Sequence, residues 1–171
     1  FGNLVSGQQI YRITFGNGTV DCTVLTYGAI LYSVKTPDKN GTMEDILVRM
    51  ATLDDYLGDH PFFGVCVGRF GNRIHKGKFV LDGIEYDLAK NDGEHHLHGG
   101  LRGFDKAVWE AFPVKTDSKT GVKLSYTSVD GEENYPGNLD VAVSYTLDTD
   151  NNLTINYEAV TDKPTIINLT N

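Results

Sequence analysis

Histidine, arginine, asparagine and glycine gather in one part of the chain. Between Gly68 and Trp109 lie four of the five histidines (His75, His95, His96, His98), the Asn72-Arg73 pair and the single tryptophan. Such side chains hydrogen-bond neutral polyols, and imidazole also moves protons near neutral pH. An asparagine amide offers a donor and an acceptor, and Arg73 adds a fixed fork of donors; together they suit vicinal hydroxyls. The competing role for Arg73 is a surface cation paired with one of the 23 acidic residues. His98 precedes Gly99-Gly100, and paired glycines are expected to open space that a ligand would fill. His95 and His96 read as polar loop residues beside it. Sugar sites often add an aromatic platform, here Phe70, Phe104 or Trp109, with core packing the expected role of at least two of the three.

Other chemistries fail on spacing. His96 and His98 would share a face if they lay on a strand, a spacing able to chelate zinc. A catalytic zinc needs a third ligand, and the neighbours are Glu94 and His95, which such a strand turns away, so no metal is expected. GNRIHKGK (71–78) imitates a phosphate loop, but five residues separate its glycines and Phe79 follows the lysine where Ser or Thr would hold magnesium. Asp148, Asp150 and Asn152 imitate the start of a calcium loop, yet Leu153 and Ala159 stand where it needs Gly and Glu.

The elements that must position these residues are strands. Polar and apolar residues alternate through Tyr11–Phe15, Val20–Val24, Val122–Tyr126, Val141–Leu147 and Leu153–Ala159, the period of half-buried strands. Asp82-Gly83 between Phe79/Leu81 and Ile84/Tyr86/Leu88 predicts a type I′ hairpin. Asp150-Asn151-Asn152 is expected to turn the chain in the same manner. One short helix is predicted over Leu53–Leu57, with Thr52 and Asp55 as a capping box. Asn72 and Arg73 are expected on a turn after a strand spanning Gly64–Gly68. Many antiparallel strands and almost no helix give an all-β sandwich or barrel. Without repeats or a linker, residues 1–171 read as one domain.

A formal net charge of −8 argues against nucleic acid and against an anionic membrane surface. No apolar run reaches the roughly 20 residues a membrane span needs. The opening FGNLVSGQQI lacks the pattern of a signal peptide, so a cytoplasmic location is expected and the Asn-x-Thr sequons read as turn chemistry. Cys22 and Cys66, each in an apolar run, read as buried free thiols.

Several blocks together carry a family resemblance. GNRI (71–74), LHGG (97–100) and RGFDK-x-x-W (102–109) resemble, in order and approximate spacing, those of the galactose mutarotases (aldose 1-epimerases). VDGEENYPG (129–137) is similar to a further block of that family, with Asn134 where Gly is common, and TDKPTIINLTN (161–171) resembles its segment ending in NLTN. The resemblance implies a galactose-mutarotase-like antiparallel β-supersandwich acting on free aldohexoses such as galactose and glucose, with no metal or organic cofactor. It implies that Asn72, Arg73 and His98 bind substrate and that His98 is also catalytic. In the family a general-acid His follows NLTN, and a substrate-binding Asp and a general-base Glu come later. This sequence stops at Asn171, so it is expected to be the N-terminal part of such a domain. Its partners are then a hexose and its own C-terminal continuation or a second chain. The alternatives are a non-catalytic sugar-binding or regulatory module of the same descent, and a sugar-phosphate epimerase, against which the lack of a basic cluster counts.

Overall fold

Alternation of β-branched and aromatic residues with polar ones lets a strand bury one face and hydrate the other. The computed structural model describes residues 1–171, and antiparallel strands dominate it. A short pair, β1 (Gly2–Asn3) and β2 (Gln9–Ile10), precedes a four-stranded sheet of β3 (Arg12–Gly16), β4 (Asp21–Leu25), β5 (Leu31–Pro37) and β6 (Met43–Asp45) in chain order. After helix α1 (Asp54–Leu57) come β7 (Arg73–Ile74), the hairpin β8 (Lys78–Leu81) and β9 (Ile84–Asp87), and β10 (His96–Leu97). A second four-stranded sheet follows in chain order: β11 (Glu110–Lys115), β12 (Lys119–Ser128), β13 (Leu139–Asp148) and β14 (Leu153–Thr161).

Both large sheets contribute to one core. Cys22, Val24 and Val34 of the first pack in the same cluster as Val122, Val143 and Tyr145 of the second, with Phe104 and Trp109 between loop and sheet. Tyr145 also donates its hydroxyl to the Ala29 carbonyl at 2.7 Å, a polar tie across the core. Both cysteines are buried and free.

Most predicted strands form, with instructive exceptions. Asp82 (φ 51°) and Gly83 (φ 79°) both take the positive φ that a type I′ turn requires. The 150–152 turn differs: the loop spans the four residues between β13 and β14, and only Asn151 is left-handed. It is organised by the Asp148 carboxylate, which accepts from the backbone of Asp150 and Asn152 at 2.9 Å each. The capping box forms, with the Asp55 carboxylate accepting from Thr52 N–H at 2.9 Å, although the helix itself begins at Asp54. Three short 3-10 turns, over His75–Gly77, Phe104–Lys106 and Glu132–Asn134, were not anticipated. Tyr11 is 56% exposed rather than inward, because it precedes β3 and the core lies beneath Phe15. Residues 64–68 make only an isolated bridge, Val67 to Thr170, instead of a regular strand.

Candidate functional site

The candidate residues sit where β7 meets β10. These two-residue strands pair antiparallel, His96 opposite Ile74 and Leu97 opposite Arg73, and the β8–β9 hairpin closes the chain between them. Ile74 and His96 point inward and are buried, so Arg73 is left on the outer face and His98 follows at the strand's end. Asn72 (φ 68°) and His98 (φ 52°) are both left-handed, which turns the two segments toward each other. The backbone N–H of Asn72 donates to His98 Nδ1 at 3.0 Å, and the N–H of His98 donates to the Asn72 carbonyl at 3.2 Å. Asn72, Arg73 and His98 are thereby neighbours, the first two exposed and the histidine half-buried.

Their remaining hydrogen-bonding capacity has one sign. Asn72 Oδ1 accepts from the backbone N–H of Arg73 at 3.0 Å, so the amide turns its N–H2 outward. Arg73 donates Nε to Asp92 at 2.6 Å, so it is paired with an acid and still presents terminal N–H groups. With Nδ1 accepting, the proton of neutral His98 resides on Nε2, which has no protein partner. Burial, seconded by the Arg73 charge, lowers the His98 pKa from its ordinary 6.5, against opposing pulls from Asp105 and Asp92. Near neutral pH the cluster is therefore a set of donors, able to hold the lone pairs of hydroxyl and ring oxygens.

The glycines serve the protein rather than a ligand. A Cβ on Gly99 would overlap the Gly68 carbonyl oxygen, and one on Gly100 would overlap the Glu133 carboxylate. That carboxylate clamps the turn by accepting from the N–H groups of Leu101 and Arg102 at 2.9 Å each. The positions into which side chains at 99 and 100 would project are thus taken by backbone and by Glu133. This corrects the expectation that the glycines open a ligand cavity.

His96 is no polar loop residue. It lies fully buried on β10, its Nδ1 2.8 Å from the Ala89 carbonyl and its Nε2 2.7 Å from the Tyr135 hydroxyl. Both ring nitrogens are engaged, and burial lowers its pKa. The geometry imagined for zinc is absent too, because β10 ends at Leu97 and His98 leaves the strand. His95 stacks on His75 at 5.2 Å and accepts from the N–H of Lys76 at 3.1 Å.

The aromatic ring beside His98 is none of Phe70, Phe104 and Trp109. Phe104 and Trp109 are each 2% exposed and belong to the core, and Phe70 packs against the small cluster of Ile74, Leu88 and Tyr135. Against the His98 ring lies Phe62, with centroids 4.7 Å apart and planes tilted by 53°. Neither Phe62 nor Asp92 carries a local sequence signal for this placement. Glu133 lies in the VDGEENYPG block, but its grip on the glycine turn is a contact across 32 residues. That block is held from below by Arg69, which is buried and donates to the carbonyls of Ser128, Val129, Pro136 and Gly137 at 2.9–3.1 Å.

Residues 11–171 match the family model described as aldose 1-epimerase. Galactose mutarotase of Sus scrofa is 41% identical over 172 residues, covering 100% of this chain and 49% of that protein. Aldose 1-epimerase of Escherichia coli (strain K12) is 34% identical over 166 residues, covering 96% and 47% respectively. Among solved structures, galactose 1-epimerase from Lactobacillus acidophilus NCFM superposes with a TM-score of 0.86 at 33% identity, covering 98% of this chain and 49% of that one. The chain therefore spans about half the length of the curated relatives it matches.

Proposed function

The chain belongs to the aldose 1-epimerase family, and on that premise we propose that the whole protein interconverts the α and β anomers of free aldohexoses such as galactose and glucose. Residues 1–171 are then the N-terminal part of its domain. Asn72, Arg73 and His98 bind the sugar, and His98 also takes part in the chemistry. The observation that carries this assignment is the mutual hydrogen bonding of Asn72 and His98, which leaves outward donors on the amide, the guanidinium fork and the imidazole beside one another.

Mutarotation breaks the bond between C1 and the ring oxygen as that oxygen gains a proton and the C1 hydroxyl loses one. The aldehyde turns about the C1–C2 bond, and the ring closes on the other face of C1 with the proton transfers reversed. His98, neutral and protonated on Nε2, is suited to donate a hydrogen bond to an oxygen that gains charge. Asn72 and Arg73 hold neighbouring hydroxyls, fixing the sugar for reaction. Opening and reclosure still need an acid and a base on opposite sides of the ring, and one imidazole cannot serve both in one turnover. We assign those two roles to residues of the C-terminal continuation or of a second chain. The hexose and that complementing segment are the partners. A cytoplasmic location forms part of the same proposal, and two unbridged cysteines are compatible with a reducing compartment. No helix is long and apolar enough to cross a membrane.

Polarimetry on freshly dissolved α-glucose tests the proposal. General acid and base each contribute roughly 10²–10⁴ in rate, so residues 1–171 alone should do little and addition of the C-terminal continuation should restore turnover. Full activity of the isolated chain would overturn the division of roles. Sugar binding without turnover by the full-length protein would favour a binding module instead.

A further inference from the structure

We propose that His60 is a positioning residue of the site, holding Phe62 against the His98 imidazole and so fixing the direction of its free Nε2. The residue lies 38 positions before His98 in the sequence, in a segment with no regular secondary structure. The inference rests on the role assigned to His98 under the proposed function.

The His60 side chain is 1% exposed and that of Asp105, which it faces, is 3% exposed. His60 Nδ1 accepts the backbone N–H of Phe62 at 3.1 Å. That bond puts the proton of the neutral ring on Nε2, which is 3.3 Å from Asp105 Oδ2 but poorly aligned with it and has no other partner. The ring stands edge-on to Tyr56 at 5.8 Å and to Phe62 at 5.1 Å.

Phe62 is a bulky residue with φ of 60°, a backbone conformation that phenylalanine adopts only when its surroundings impose it. Here the surroundings are the His60 acceptor on its N–H and the His60 ring at its edge. The result is an aromatic ring 4.7 Å from the His98 ring. His98 is thus held at Nδ1 by the Asn72 N–H and along its ring by Phe62, which leaves Nε2 one direction. A purely structural His60 would fill space equally well as leucine. A positioning one needs an acceptor for Phe62 and a donor toward Asp105, which leucine lacks and glutamine supplies at the same spacing.

The test compares His60→Leu and His60→Gln in the full-length protein, reading the His98 ring resonances by NMR across pH and kcat and KM by polarimetry. The charged groups acting on His98 are Arg73, Asp92 and Asp105; His60→Gln keeps a donor toward Asp105, whereas His60→Leu removes it. His60→Leu should move the His98 ring resonances as the Phe62 ring current is lost. Its titration midpoint should rise toward the ordinary 6.5 as the ring becomes more hydrated. The kcat should fall about tenfold with a smaller change in KM, in line with the cost of slight misplacement. His60→Gln should restore all three. A folded His60→Leu protein with unmoved His98 resonances, or a His60→Gln protein no better than His60→Leu, would overturn the proposal. Removing His60 leaves a buried carboxylate alone, so the leucine variant carries a folding risk. If it does not fold, the wild-type protein decides: a Phe62 amide that exchanges freely, or no Overhauser contact between the Phe62 and His98 rings, would overturn it. If the wild type neither binds nor turns over a hexose, the proposed function fails while the His98 resonances still report on His60.

Discussion

At the residue scale the site depends on which atoms of each side chain are already taken. Arg73 uses Nε on Asp92 and presents the rest of its fork, geometry an ammonium cannot copy. Arg73→Lys should weaken hexose binding about tenfold, close to 1.4 kcal/mol, while leaving thermal stability within about 0.5 kcal/mol, because the residue is exposed. Calorimetric titration beside a melting curve checks both. His98 provides a pH signature. Its folded pKa lies below 6.5, so the folded protein binds that proton less readily than the unfolded chain does. The stabilising arrangement is intact above 6.5 and is lost as pH falls from there through the folded value. Protonation also removes the Nδ1 lone pair that receives the Asn72 N–H. Hexose affinity should therefore be flat near neutral pH and decline in acid with a midpoint below 6.5. A midpoint above 6.5 would mean that the charged imidazole is the binding form.

At the element scale, very short strands are held in register by tight turns rather than by their own ladder. The β7–β10 pair spans two residues per strand, so its alignment depends on the β8–β9 hairpin on one side and the glycine turn on the other. Gly99 has φ of +87° and its α-carbon faces the Gly68 backbone directly. Gly99→Ala combines a left-handed alanine with an overlap against main chain that has little room to move. It should destabilise the fold by about 3 kcal/mol in urea unfolding and displace His98. Gly83→Ala is the contrast: a Cβ there meets nothing within 4 Å, so only the backbone term applies, about 1 kcal/mol.

At the scale of the whole molecule, the second large sheet ends on an unpaired strand. β14 runs nine residues with one flank bonded to β13 and the other free, and Ile155 (37%) and Val160 (72%) are exposed along it. A long edge with exposed apolar side chains is a template for another strand. Residues 1–171 alone should associate as concentration rises, seen as increasing weight-average mass in sedimentation equilibrium. Val160→Lys should suppress that association without altering β13, and a strictly monomeric wild type at high concentration would contradict the expectation.

Local chemistry made much of this protein legible. The β period, the Asp82-Gly83 turn, the Thr52–Asp55 box and the buried thiols each depend on residues adjacent in sequence, and so does the adjacency of Asn72 to Arg73. The motif blocks that carry the family resemblance single out His98 among the five histidines. Contacts across distant segments were not written in any local pattern. Phe62 meets the His98 ring across 36 residues of sequence, and Glu133 reaches the glycine turn from a loop 32 residues away. His96, Phe104 and Trp109 have the residue types of a binding site, yet burial gave them to the interior. Residue type bounds what a side chain can do; which of its atoms stay free is decided by the other segments of the fold that reach it.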